Sequence, residues 1–149
     1  MIDIKYAVAS DVSVVPPKLA YDGDSGFDLY SAEEVLLTLA PGERKVVRTG
    51  IHLEIPSGYE GQVRSKSGLA ANKGCVVLNS PGTIDSGYRG EIHVIMYNTS
   101  KFQYSILPGE KIAQIVFCRV ESTNLMQVGL KDLLPSERGS KGFGSSGVK

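Results

Sequence analysis

Residues 63–74, VRSKSGLAANKG, set two cations and a serine just ahead of a short helical pattern. Backbone N–H groups at a helix start, with Gly68 allowing close approach, suit an anion such as a phosphate. If residues 63–66 are a strand, Arg64 and Lys66 point to one side and make it basic. The alternative is a plain turn capped by Ser67, with solvated charges. Residues 79–92, NSPGTIDSGYRGEI, put Asp85 on a hairpin-turn signal. Asp in a turn commonly bonds its own backbone. Held on a rigid hairpin, it can instead act as a general base toward a water, with Tyr88 flanking the same pocket. Asp28, in GDSGFDLYS, lies between apolar Phe27 and Leu29. A carboxylate there can hold the water shell of Mg2+, which takes few protein ligands. Gln114 is an amide inside the apolar run KIAQIVF and needs a partner, either within the protein or on a ligand phosphate. Residues 138–147, RGSKGFGSSG, combine Arg138 for phosphate oxygens, backbone N–H groups for a nest, and Phe143 to stack on a planar ring. Their composition equally suits a flexible tail.

Other chemistries are poorly supported. The glycine spacing of the last segment is wrong for a P-loop. No Ser-His-Asp or Cys-His set suggests a covalent intermediate. No CxxC or histidine cluster suggests zinc. The chain has 149 residues and a formal net charge of zero from 16 basic and 16 acidic side chains, which argues against a broad nucleic-acid surface. Cys75 and Cys118 both stand in apolar runs and read as buried free thiols. There is no signal-peptide pattern and no apolar run of membrane-spanning length, so a soluble intracellular protein without a membrane partner is expected.

These groups must be positioned by short elements. Pro-Gly recurs at 41–42, 81–82 and 108–109, and between such turns lie short β-rich runs. Ile51, Leu53 and Ile55 alternate with His52 and Glu54, the period of a half-buried strand. EIHVIMYN (91–98) and KIAQIVFCRV (111–120) are apolar at nearly every position, as in strands covered on both faces. The pattern predicts one all-β domain, a barrel or sandwich, with one short helix near 67–73 ended by Gly74 and a C-terminal arm over 130–149.

In order and spacing, DSGFDLYSA (24–32), RSKSGLA (64–70), GTIDSGYRGEI (82–92), GEKIAQIVF (109–117) and RGSKGFGSSG (138–147) resemble the five signature motifs of the trimeric dUTPases. The resemblance implies a distorted jelly-roll β-barrel of the β-clip kind, and a homotrimer with active sites shared between subunits. It also implies Mg2+-dependent hydrolysis of dUTP to dUMP and pyrophosphate, which limits uracil in DNA and supplies dUMP for dTMP synthesis. By the same resemblance, Asp85 activates the attacking water and Tyr88 packs under the deoxyribose. Asn79 and the hairpin backbone, with Gly82, Thr83 and Ile84, form the uracil pocket. Asp28 holds the Mg2+ shell through water. Lys66, Ser67, Gly68 and Gln114 contact phosphates. Arg138 clamps the γ-phosphate and Phe143 covers uracil, with Gly144, Ser145 and Ser146 in the same substrate-binding segment. Two residues depart from the family pattern. Lys66 replaces the usual Arg, keeping the charge without the planar fork, and Ser146 replaces Thr. The rival readings are a dCTP deaminase on the same barrel and a nucleotide-binding module without turnover.

Overall fold

The computed structural model describes residues 2–142. Ten strands form three antiparallel sheets around a single apolar core. They are β1 (Lys5–Val8), β2 (Phe27–Tyr30), β3 (Leu37–Leu39), β4 (Arg44–Glu54), β5 (Tyr59–Arg64), β6 (Cys75–Val77), β7 (Gly82–Ile84), β8 (Glu91–Asn98), β9 (Tyr104–Ile106) and β10 (Lys111–Arg119). One sheet runs β1-β4-β8-β6, a second runs β2-β10-β5-β7, and β3 and β9 make a two-stranded ribbon. Non-consecutive neighbours in both sheets give the crossed-over connections of a jelly roll. Leu29, Val63 and Ile115 from the second sheet meet Ile51, Ile92, Val94 and Met96 from the first, and all are buried.

Helix α1 (Ser67–Lys73) carries the chain from β5 to β6, and a 3-10 turn (Leu130–Asp132) is the other helical element among the described residues. Gly74 ends α1 in the left-handed region, φ +66°, as expected of a glycine there. The N-cap expectation fails. Lys66 holds the cap position in extended backbone, Ser67 is the first helical residue, and no side chain caps the start. The first-turn N–H groups therefore have no side-chain acceptor.

Strand β4 breaks register with β8 between Arg48 and His52, around Gly50 at φ +65°. Val12 and Val14 press into the space where a Cβ would stand, so the bulge admits the N-terminal segment only because Gly50 has no side chain. Strands β8 and β10 do not read as expected. Along β8 the buried residues are Ile92, Val94, Met96 and Asn98, whereas His93, Ile95 and Tyr97 face outward. On β10, Val116 and Cys118 are likewise half-exposed, so Cys118 is not the buried thiol that its apolar run suggested. Both cysteines are free. Composition registered the apolar side chains but not that only one face is covered within one chain. Beyond Arg119 no strand follows among the described residues, and residues 120–141 are exposed, including Leu125, Leu130 and Leu134.

Candidate active site

The second sheet builds one cluster. Asp28 on β2 pairs with Gln114 on β10, which pairs with Arg64 on β5, so the three stand in one row across the sheet. Val63 and Ile115 point into the core, and alternation puts Arg64 and Gln114 on the opposite face. Lys66, two residues beyond Arg64, lines the same pocket as these three. Gln114 Nε2 donates to the Ser65 carbonyl at 3.0 Å, and the Ser65 hydroxyl accepts from Val77 N–H at 2.8 Å. The loop carrying Lys66, Ser67 and Gly68 is thus tied down from both sides. Gly26 makes room for this, since a Cβ there would collide with the Gln114 amide oxygen.

Asp28 is buried, and its carboxylate is met by two cations. Lys66 donates to Oδ1, and Lys111 Nζ lies 2.7 Å from Oδ2. Lys111 is in contact by distance, with its geometry not aligned for a hydrogen bond, so Oδ2 has no aligned donor. Burial pushes the Asp28 carboxyl up, but Lys111 and Lys66 together outweigh it and hold it below its ordinary value. Among the described residues, the only buried side-chain oxygens without a hydrogen-bond partner are Asp28 Oδ2 and Tyr30 Oη, both on β2. The Lys111 charge still compensates Oδ2, so Tyr30 Oη is the oxygen that calls for a water or ligand. No cluster of three metal-ligating side chains exists among the described residues. A single carboxylate already in contact with two ammonium groups can meet Mg2+ only through the ion's water shell, and it does not fit a bare ion held by protein alone.

The hairpin after β6 builds a second cluster. Its arms do not pair with each other: β7 pairs with β5, whereas β8 pairs with β4 and β6. Between them is a slot bounded by two open strand edges. The Ile95 carbonyl accepts from Leu78 N–H on the β6 side. By alternation, the N–H and C=O of His93 point the same way, at a level where β6 has already ended. Asn79 closes this end of the slot, its amide nitrogen against Gly82. Thr83, Ile84 and Asp85 line a pocket with Tyr88 and His93. Asp85 is exposed, and its carbonyl accepts from Tyr88 N–H at 3.1 Å to close the turn. The Tyr88 ring lies across Gly90, where a Cβ would strike the phenol, and its hydroxyl donates to the Glu91 carbonyl at 2.9 Å. Below the hairpin, the Glu91 carboxylate accepts from Arg48 at 2.8 Å and from Gly50 N–H at 2.8 Å.

One chain does not bring these clusters together. Asp28 lies three strands from β7, and Asp85 lies four residues beyond the level of Asp28. At ~4.8 Å per strand and ~3.3 Å per residue, the separation is about 20 Å over the sheet. A general base works within about 3 Å of its proton. Arg138 belongs to neither cluster, and its guanidinium donates to the carbonyl of Lys141 within its own turn. Phe143, Gly144, Ser145 and Ser146 lie outside the described residues. Sequence reasoning did not single out Lys111, the His93 backbone, or the Arg48–Glu91 support. Lys111 reads in sequence as an ordinary solvated strand end, and backbone direction leaves no trace in residue type.

A model of the dUTPase family matches residues 13–147. The chain is 44% identical over 147 residues to a deoxyuridine 5'-triphosphate nucleotidohydrolase of Clostridioides difficile, covering 99% of each. It is 50% identical over 132 residues to that of Clostridium kluyveri, covering 89% of this chain and 90% of the relative. The solved dUTPase of Staphylococcus bacteriophage 80alpha with dUpNHpp has a TM-score of 0.87 at 30% identity, covering 99% of this chain and all of that one.

Proposed function

The chain belongs to the dUTPase family, and on that premise we propose that it hydrolyses dUTP to dUMP and pyrophosphate at sites shared between copies in a homotrimer. The observation that carries the reading is the open slot between β7 and β8. There the His93 N–H and C=O offer one donor and one acceptor side by side. Uracil presents O4 and N3–H in the matching order. Cytosine presents an amine and a bare nitrogen, which leaves both backbone groups facing the wrong partner, and unpaired polar groups in a closed site reject strongly. The Tyr88 ring across Gly90 offers a flat face for the deoxyribose.

The roughly 20 Å between Asp85 and the phosphate cluster supports an interfacial site, since the base would then come from one copy and the phosphate groups from another. The outward residues His93, Ile95 and Tyr97 and the exposed apolar side chains of residues 120–141 are surface that neighbouring copies would cover. In this assembly Lys66, the Ser67 and Gly68 N–H groups, Gln114 and Arg138 bind the triphosphate. Asp85 takes a proton from a water, whose oxygen bonds to the α-phosphorus as the bond to the bridging oxygen breaks and pyrophosphate leaves. Mg2+, when bound, neutralises phosphate charge, and Asp28 would hold it through water. The remaining acceleration comes from holding water and phosphorus in line. The segment that follows Arg138, with Phe143, would cover the base.

Pyrophosphate release from dUTP, dCTP, dTTP and UTP, each with Mg2+, tests the reading. Turnover of dUTP alone is expected. Equal turnover of UTP would refute the role of Tyr88, and preference for dCTP would refute the base slot.

A further inference from the structure

Asp28 is surrounded by more positive charge than it needs. Its side chain is 4% exposed, and Lys66 and Lys111 both contact it. One cation neutralises one carboxylate, so Asp28, Lys66 and Lys111 together hold one positive charge in excess. The setting of each lysine distinguishes them. Lys66 stands outside the strands, in extended backbone, and lines the open pocket with Arg64 and Gln114, whereas Lys111 does not line it. Lys111 is the first residue of β10, opposite Tyr30 of β2, with Nζ 5.9 Å from the Tyr30 ring centroid. Lys66 is placed to turn toward an arriving anion, and Lys111 is placed to stay.

We propose that Lys111 is a positioning residue of the phosphate site, keeping Asp28 neutralised so that Lys66 can leave that carboxylate for the triphosphate. The inference rests on the phosphate-site reading above. Without Lys111, no second cation among the described residues contacts Asp28. Moving Lys66 onto a phosphate would then leave a buried carboxylate uncompensated, and that penalty is large. Lys66 would stay trapped on Asp28, and the site would lose affinity although no phosphate contact had been removed. Asp28 is therefore both the anchor and the trap, which gives the inference a distinctive signature.

The test is calorimetric binding, without metal, of inorganic tripolyphosphate and of a non-hydrolysable imido-bridged dUTP analogue. Wild-type protein binds both. K111Q is expected to weaken both by roughly tenfold or more, the scale of one charge-assisted contact. K111R keeps the charge and stays within a few-fold of wild type. Adding D28N to K111Q restores binding to within a few-fold of wild type, because no carboxylate then retains Lys66. A K111Q protein that binds like wild type overturns the inference. So does a double variant as weak as K111Q, since Lys111 would then touch phosphate itself or act only on the fold. In the unaltered protein, lysine-amine NMR follows the exchange directly. The Lys66 Nζ resonance should shift with tripolyphosphate while that of Lys111 holds, and the reverse pattern overturns the assignment. Wild-type protein that binds neither probe refutes the phosphate site itself and the inference with it.

Discussion

Replacing Gly26 with alanine tests how the phosphate loop is held. Gly26 has ordinary backbone geometry, so the substitution brings no φ strain. Its cost lies in one neighbour. All three atoms nearest the new Cβ belong to Gln114, and the amide oxygen is close enough to collide. The amide must swing away, which breaks the 3.0 Å hydrogen bond from Nε2 to the Ser65 carbonyl. Ser65 is half-exposed, so water can replace the lost donor, and the net cost is about 1 kcal/mol. At roughly 2–4 °C per kcal/mol for a chain of this size, the melting temperature falls by about 3 °C at fixed protein concentration. The same energy shifts the equilibrium between held and released loop about fivefold, so the KM for dUTP rises by up to about that factor. Q114A breaks the same bond without a collision. Its remaining Cβ lies 3.4 Å from the new methyl position, an ordinary contact, so G26A should cost almost nothing in the Q114A background. If G26A destabilises Q114A as much as wild type, the proposed coupling is wrong.

D85N should lower turnover by at least 100-fold, the lower range for loss of a general base, while nucleotide affinity and melting temperature change little. Mixing D85N chains with chains cut before Arg138 should recover part of the activity after reassembly, and complete absence of recovery would exclude a shared site. The Arg48–Glu91 support predicts a pH dependence. Burial pushes the Glu91 carboxyl up, but the Arg48 and Gly50 hydrogen bonds outweigh it and hold it below its ordinary 4.5. A lowered folded pKa stabilises fully above pH 4.5, and this stability is lost as pH falls through the folded value. The gap in melting temperature between wild type and E91Q should therefore shrink on acidification below about pH 4.5; a gap that stays constant down to pH 3 would rule out this ion pair as its source.

The elements were legible where a local signal is strong. Gly74 announced the end of α1, and the alternation of Ile51, Leu53 and Ile55 announced part of β4. Asp28, Lys66 and Gln114 stand in separate segments; strand register puts Asp28 beside Gln114, and the loop after β5 brings Lys66 onto Asp28. Other features were hidden for physical reasons. An apolar outward position such as Ile95 looks the same in sequence whether its cover is intramolecular or not. Lys66 rather than Ser67 takes the cap position, in extended backbone next to a Ser65 that Val77 tethers, a long-range contact that residue type at Ser67 does not report. The Lys111 contact needs a strand pairing that sequence spacing does not reveal.

The divergence of β7 and β8 into different sheets also bears on solubility. An open strand edge invites any passing extended chain to pair with it, and this is a common route to aggregation. Here the β7 edge is three residues long, directly follows Pro81, and ends in the Asp85 turn. A peptide needs several consecutive rungs to gain a foothold on an edge. A flat heterocycle needs only one. Brevity lets the barrel keep unpaired backbone groups for a small planar ligand while giving other polypeptides too little to grip.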